Sequence, residues 1–185
     1  MKVQKIVTEQ YGTNSYIIDN KYVVDPGIGI GKHIKNKVDV ILTHAHFDHL
    51  LGLNELNYDK IYLHPGDFEM IKNAEINLSK IIGAPIEIRE NLYDIQDAFE
   101  TIHTPGHTEG SVLIFMNNHI FSGDTVFYNS VGRTDLPSGD QYKLENSIEK
   151  IKKIFKTKDK NIIIHPGHME ETNIERILEE NPYLF

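Results

Sequence analysis

Apolar and polar positions alternate over short spans through the first part of the chain, and residues 2–7, 14–19 and 21–25 read as strands. Asp19-Asn20 supplies the tight turn between the last two. A short helix is expected around 30–36. It is followed by the run Val38-Asp39-Val40-Ile41-Leu42-Thr43, whose apolar character marks a buried strand. Leu50 to Leu56 starts a second short helix, 60–64 is a strand, and 66–82 reads as helical with Phe68, Ile71 and Ile76 on mixed faces. Strands return near 86–90, 98–103, 111–116 and 119–122, the last two joined by a hairpin turn at Asn117-Asn118. The clearest helix covers 140–156, where Leu144, Ile148, Ile151, Ile154 and Phe155 recur at helical spacing and would face a sheet. After a strand at 161–164, Thr172 with Glu175 three positions on has the pattern of a capping box opening a last helix. Its stripe of Ile174, Ile177 and Leu178 is core contact. No linker-like or low-complexity stretch interrupts this succession, so a single domain over residues 1–185 is expected.

Composition narrows the class. At 185 residues, with 39% hydrophobic and 25% charged, the chain can build one substantial core. No apolar stretch approaches the roughly 18 residues of a membrane span, and the alternating start Met1-Lys2-Val3-Gln4-Lys5 lacks the apolar centre of a signal peptide. A cytoplasmic protein without a membrane partner is expected. The net charge of −8 argues against nucleic acid as a partner. Lys150, Lys152, Lys153, Lys156 and Lys158 read as the solvated face of a helix. The absence of cysteine excludes disulfides, thiolate ligands and a cysteine nucleophile, so any metal must rest on imidazole and carboxylate.

Such a donor set is conspicuous. His44-Ala45-His46-Phe47-Asp48-His49 places four potential ligands in six positions immediately after the Val38–Thr43 strand. Six residues cannot wrap two ions alone, and further donors stand downstream: His107 in Thr104-Pro105-Gly106-His107-Thr108, Asp124 in Phe121-Ser122-Gly123-Asp124-Thr125, and His168 in His165-Pro166-Gly167-His168. Each follows a β-type run, where a rigid sheet can fix a functional group. Nitrogen and oxygen donors together suit zinc first, with iron or manganese also compatible. Asp25, in Val23-Val24-Asp25-Pro26-Gly27, is either a turn residue or an acceptor that fixes a ligand histidine, and one residue can do both. Thr43 and Thr108, beside ligands, are candidates for the same supporting role. His33, His64, His103, His119 and His165 are read as structural. A faint internal echo sets His64-Pro65-Gly66-Asp67 against His165-Pro166-Gly167-His168.

The order His-x-His-x-Asp-His, a lone His, an Asp and a lone His resembles the metallo-β-lactamase superfamily. Thr13-Asn14-Ser15-Tyr16-Ile17-Ile18 is similar to the opening strands of that family, while Val131-Gly132-Arg133-Thr134-Asp135 and Asn181-Pro182-Tyr183-Leu184 resemble short glyoxalase II-like hydrolases. The resemblance implies an α+β fold, a four-layer αββα sandwich of two mixed β-sheets flanked by helices. It implies two divalent metal ions, one on His44, His46 and His107, the other on Asp48, His49 and His168, with Asp124 bridging. Asp48 and Asp124 would be the catalytic residues of a thioesterase acting on S-lactoylglutathione or a related small thioester. Arg133, with Tyr128 and Tyr142 at the pocket mouth, would contact substrate, although Arg133 has an alternative in a loop-fixing pair with Asp135. Two departures are visible: Thr134 and Asp135 stand where aromatic residues are usual, and Met169 stands where glycine is frequent and would narrow the pocket. The helical glutathione-binding domain of full-length glyoxalase II is expected to be missing. Persulfide dioxygenases carry a similar Gly-Arg-Thr-Asp segment and would use His44, His107 and Asp124 on one iron. A lactonase or β-lactamase activity, and a non-catalytic metal-stabilised module, are the remaining alternatives.

Overall fold

In the computed structural model, which describes residues 1–184, the N-terminal alternation becomes β1 (Val3–Val7) and β2 (Asn14–Ile18), an antiparallel pair with Val3 opposite Ile18. Asp19 and Asn20 adopt left-handed backbone and turn the chain into β3 (Tyr22–Val24), as residues with short polar side chains do readily. β3 then runs parallel to β4 (Val38–Ile41), β4 to β5 (Tyr58–Leu63), and β5 to β6 (Leu92–Asp94), so the first sheet has six strands in chain order. The second sheet holds β7 (Glu100–His103), β8 (Val112–Met116), β9 (His119–Gly123), β10 (Ile163–Pro166) and β11 (Thr172–Asn173), adjacent in that order, with only β9 and β10 parallel.

Period-two alternation assigns each strand residue to a layer. Tyr16, Ile18, Val24 and Ile41 meet Val112, Ile114 and Phe121 between the sheets. On the outer face of the second sheet, Leu113, Phe115, Ile120 and Ile164 pack beneath α2 (Gln141–Thr157) and α3 (Ile174–Glu180), which contribute Leu144, Ile148, Ile151, Phe155, Ile174 and Ile177. On the outer face of the first, Ile17 and Val23 lie under Ile30 and Ile34, while Val40, Ile61 and Leu63 lie under Leu50, Leu53, Met70 and Ile71. The result is the four-layer αββα sandwich with mixed sheets that the resemblance implied. Among the described residues no helix is long and apolar enough to cross a membrane.

The covering layer of the first sheet departs from expectation. The helices expected at 30–36 and 50–56 are single 3-10 turns, Ile30–Lys32 and Leu53–Glu55. Of the helix expected at 66–82, only a 3-10 turn, Pro65–Asp67, and one α-helical turn, α1 (Phe68–Ile71), exist. Asn73 Oδ1 accepts from the backbone N–H of Glu75, and Asn77 Oδ1 from that of Ser79, and such local side-chain bonds compete with the helical ladder. Residues 86–90 are not a strand: Ile86 turns into the covering layer, its carbonyl held by the Asn77 amide, and pairing resumes at β6. The last helix is capped one residue later than expected. Asn173, not Thr172, accepts the N–H of Arg176 at 2.8 Å, because α3 begins at Ile174 and its N-cap is therefore the last residue of β11.

Two contacts fix loops that matter below. Gly106 has φ 142°, and a Cβ there would lie 2.4 Å from Leu144 Cα, so the 104–108 loop docks directly on the first turn of α2. The buried Asn181 amide donates to the carbonyls of Phe127 and Ser130, so the Asn-Pro-Tyr-Leu ending holds the loop after β9.

Phe155 is fully buried between α2 and the second sheet. Phe155→Ala is expected to lower unfolding stability by about 3–5 kcal/mol, read from urea denaturation, while Tyr142→Ala on the exposed face of the same helix changes it by less than about 0.5 kcal/mol. Equal effects would contradict this assignment of faces.

Candidate metal centre

Four strands deliver the donors to one end of the sandwich. β4 ends at Ile41, and Thr43 opens the loop that carries His44 and His46 and then closes in a 3-10 turn, Phe47–His49, presenting Asp48 and His49 together. His107 follows β7, Asp124 follows β9, and His168 follows β10. Donor atoms of His44, His46 and His107 converge within 4.8 Å of one another, as do those of Asp48, His49 and His168. Asp124 lies between the two groups. Its Oδ1 is 3.6 Å from His49 Nε2, and its Oδ2 is 3.7 Å from His107 Nε2 and 3.5 Å from His168 Nε2. Asp48 Oδ2 is 3.1 Å from His168 Nε2 and 3.4 Å from His49 Nε2.

The donors are held from behind, which fixes the atom each one offers. Thr43 Oγ1 donates to Asp25 Oδ2 at 2.7 Å, so its oxygen is left to accept from His44 Nδ1 at 3.1 Å. His107 Nδ1 donates to the Arg133 carbonyl at 2.8 Å and His168 Nδ1 to the Gly12 carbonyl at 3.2 Å. His49 Nδ1 is 3.1 Å from Asp25 Oδ2. With the proton on Nδ1, each of these rings turns the lone pair of Nε2 inward. His46 is reversed, its Nδ1 facing His107 Nε2 at 2.8 Å. His44 Nε2, His46 Nε2, both ring nitrogens of His49 and Asp124 Oδ1 are buried with no hydrogen-bond partner. Metal–nitrogen bonds of 2.0–2.1 Å in a tetrahedron place ligand atoms roughly 3.3 Å apart, and the spacings above bracket that value. The residues present therefore fit divalent metal, which would satisfy His44 Nε2, His49 Nε2 and Asp124 Oδ1.

The electrostatics agree. Burial pushes the His44 and His46 imidazoles well below their usual range, and neighbouring imidazoles push the same way, so both are neutral lone-pair donors. Burial alone would raise the Asp48 carboxyl, but His49 and the hydrogen bonds from His168 and Thr13 hold it well below the ordinary carboxylate range. Burial likewise opposes the charged form of His49, yet Asp48, Asp25 and Asp124 together push it up to about 10. Without metal His49 therefore carries a proton on each nitrogen, and a metal ion drawn by the same three carboxylates would displace the one on Nε2.

Support for the site comes from residues of mixed legibility. Asp25, buried with φ 49°, is both turn and anchor: it accepts from Thr43 N and Oγ1 and faces His49. Thr108 acts indirectly, through Asp67. Asp67 was not singled out from sequence. It is fully buried and accepts from Ala45 N, Thr108 Oγ1 and Gly110 N, tying the first ligand loop to the His107 loop. The His-Pro-Gly echo was its only signal. Thr13, known before only as part of the opening-strand pattern, donates to Asp48 Oδ2 at 2.8 Å. Gly167 allows close approach, since a Cβ there would lie 2.1 Å from Asp124 Oδ1.

The residues expected at the pocket mouth are placed differently from one another. Arg133 lines the cavity over the donors, and its guanidinium makes the bidentate pair with Asp135, 2.6 Å at each bond. Tyr128 instead lies under the Arg176 guanidinium, 3.9 Å from its ring centre, and Tyr142 projects from α2 into solvent; neither lines the cavity. That cavity, of about 340 Å³, is walled by Tyr11, Phe47, Leu78, Phe127, Leu136 and Met169. His165 is buried away from the donors, between His119 and Glu171, and the His64 and His103 rings stack on each other.

Comparison with known proteins agrees with this architecture. A family model for the metallo-β-lactamase superfamily matches residues 8–168. A probable metallo-hydrolase of Methanocaldococcus jannaschii is 33% identical, over 86% of this chain and 89% of its own length, and one of Bacillus subtilis is 30% identical over 100% and 98%. Among solved structures, the BLEG-1 B3 metallo-β-lactamase superposes with a TM-score of 0.83 at 29% identity, covering 99% of each chain. TTHA1623 in a di-iron-bound form gives 0.81 at 26%, covering 98% of this chain and 100% of its own. ETHE1 from Myxococcus xanthus shares the fold at 19% identity and a TM-score of 0.68, covering 100% of this chain and 84% of its own.

Thr13→Val removes the hydroxyl that fixes Asp48 and little else. It is expected to weaken metal binding at the Asp48–His49–His168 group by about 10–100-fold, leaving the His44–His46–His107 group unaffected, as measured by chelator competition. Uniform weakening of both, or of neither, would refute this division.

Proposed function

The chain belongs to the metallo-β-lactamase superfamily, and on that footing we propose that it is a metal-dependent thioester hydrolase of the glyoxalase II type. When bound, two divalent ions, zinc first, supply Lewis acidity that lowers the pKa of solvent and polarises a carbonyl. His44, His46 and His107 would hold one, Asp48, His49 and His168 the other, and Asp124 both. The chain's own contributions follow from the contacts above. Thr13 and His168 engage Oδ2 of Asp48, which leaves Oδ1 to accept a hydrogen bond from the attacking water and orient it. Attack forms the C–O bond and breaks the C–S bond; one water proton passes to the departing thiolate, the other is lost from the new acid to solvent, and carboxylate and thiol leave. The apolar walls shield the reacting carbonyl from bulk water.

The observation that carries this reading is the placement of Asp124, whose Oδ2 faces His107 of one donor group and His168 of the other while its Oδ1 faces His49. A mononuclear persulfide dioxygenase would use His44, His107 and Asp124 on one iron; the donor residues serve either reading, and oxygen uptake on a persulfide separates them. The family resemblance to ETHE1 extends to fold alone. A purely structural site would be closed, whereas these donors face a cavity. Lactamase or lactone chemistry uses the same attack, and the choice among them rests with the walls.

Metal-loaded protein is expected to hydrolyse S-D-lactoylglutathione, with Asp124→Ala reducing turnover on the order of 10²–10³-fold or more. Absence of thioester turnover with both metals bound, together with oxygen uptake on a persulfide by iron-loaded protein, would overturn the reading. Chelation is expected to abolish activity while far-UV circular dichroism is preserved, because the apolar clusters that hold the layers together do not include the donors. Unfolding on chelation would favour the structural alternative.

A further inference from the structure

Backbone strain singles out two residues of the cavity wall. Eight non-glycine residues have positive φ among those described, and six of them are Asp19, Asn20, Asp25, Asn91, Asn117 and Ser138. These are residues with short polar side chains, five of them Asp or Asn, the types that tolerate left-handed backbone best after glycine. Leu78, with φ 71°, and Met169, with φ 67°, are not of these types. Glycine adopts this conformation without steric cost, and the chain uses it that way at Gly12, Gly29, Gly83, Gly106 and Gly123.

Both strained aliphatic residues line the cavity above the metal donors. Their surroundings hold them there. The Met169 carbonyl accepts from Lys5 Nζ at 2.8 Å and from the Asn14 amide at 2.9 Å. Leu78 sits inside the local bond from Ser79 N to Asn77 Oδ1. Strain concentrated at a site and maintained by neighbours signals a role for the side chain itself. The other walls have the same character: Tyr11 meets Phe47 edge-on with ring centres 5.1 Å apart, and Phe127 and Leu136 complete the lining.

Charge points the same way. Among the described residues, and apart from the donor histidines, Arg133 is the one cationic side chain lining the cavity, and its Nε and Nη2 are paired with Asp135. Glutathione carries two carboxylates distant from its thiol, and this wall offers them a single cation that already has a carboxylate partner. The net charge of −8 opposes such a carrier at longer range.

We propose that the site selects thioesters whose acyl group is apolar and whose thiol carrier lacks glutathione's pair of carboxylates, with Leu78 and Met169 setting the preference. This rests on the thioesterase reading above. Lactoylglutathione is then a poor substrate that reports the chemistry, and the acyl chain of a good one packs along Leu78, Met169 and Phe127.

The test compares kcat/KM of the metal-loaded full chain for the hexanoyl thioester of N-acetylcysteamine and for S-D-lactoylglutathione. A preference of about tenfold or more for the hexanoyl ester is expected, the scale on which apolar pockets discriminate. Equal rates, or preference for lactoylglutathione, would overturn the proposal. Leu78→Gly and Met169→Gly are expected to retain metal content and thermal midpoint, since the strain is relieved, while the preference falls about fivefold or more. An unchanged preference would remove these two residues from the assignment. Should neither ester turn over, the hydrolase reading fails by itself, and calorimetric binding of the intact esters still decides selectivity. Tighter binding of the hexanoyl ester supports the proposal, and tighter or equal binding of lactoylglutathione refutes it.

Discussion

Seven imidazole and carboxylate donors gathered at the end of two apolar sheets need support from groups other than the metal, and five of them, His44, Asp48, His49, His107 and His168, have it. That constraint organises the molecule. A polar group removed from water costs about 1–3 kcal/mol when left unpaired, and an unrestrained imidazole would also sample the wrong tautomer. Asp25 is the pivot of the solution. One carboxylate takes the backbone N–H and hydroxyl of Thr43, thereby setting the His44 proton on Nδ1, and reaches His49 on its other side. Its left-handed backbone, directly after β3, aims the carboxylate across to the end of β4. The register of β3 and β4, Val24 opposite Ile41, is therefore part of the metal site.

The two donor groups are supported asymmetrically. The His44–His46–His107 group leans on its own neighbourhood: Thr43, the Arg133 carbonyl, and Asp67 bridging Ala45 to Thr108 and Gly110. The other group depends on the far N-terminus, where Gly12 takes His168, Thr13 takes Asp48, and Asn14 binds the carbonyls of Pro166 and Met169. Long-range closure of this kind couples metal at that group to the docking of β2 on the turn after β10. Loss of the N-terminal contacts would loosen one group and spare the other.

The parts of this arrangement legible in the sequence were those with a local signature. The ligand residues announce themselves because several donors crowd into short segments after apolar runs, and α2 because its apolar stripe has an unambiguous period. What escaped were features decided by tertiary contact. The cover of the first sheet looks helical in composition between 66 and 82, but Asn73 and Asn77 satisfy the backbone locally and leave only α1. Tyr128 and Tyr142 have the right chemistry for a substrate wall, yet one is taken by Arg176 and the other points away on α2. Asp67 had no metal-like context at all beyond the repeated His-Pro-Gly.

That repeat has a physical meaning once the strands are placed. Both copies end a strand, β5 and β10, with proline and glycine turning the chain sharply so that the following side chain points back across the strand ends. In the second copy the residue so aimed is His168, a donor. In the first it is Asp67, which accepts three hydrogen bonds and is enclosed within the ligand loops. Burial raises its carboxyl, and the bonds from Thr108, Gly110 and Ala45 oppose that shift. One sequence pattern thus serves two ends, through a 3-10 turn at Pro65–Asp67 in the first copy and a bend directly after Pro166, the last residue of β10, in the second. Presented to the cavity it delivers a ligand; presented to backbone amides it fixes the loop on which other ligands stand. The difference lies in what each turn faces, which is set by sheet packing and not by the four residues themselves.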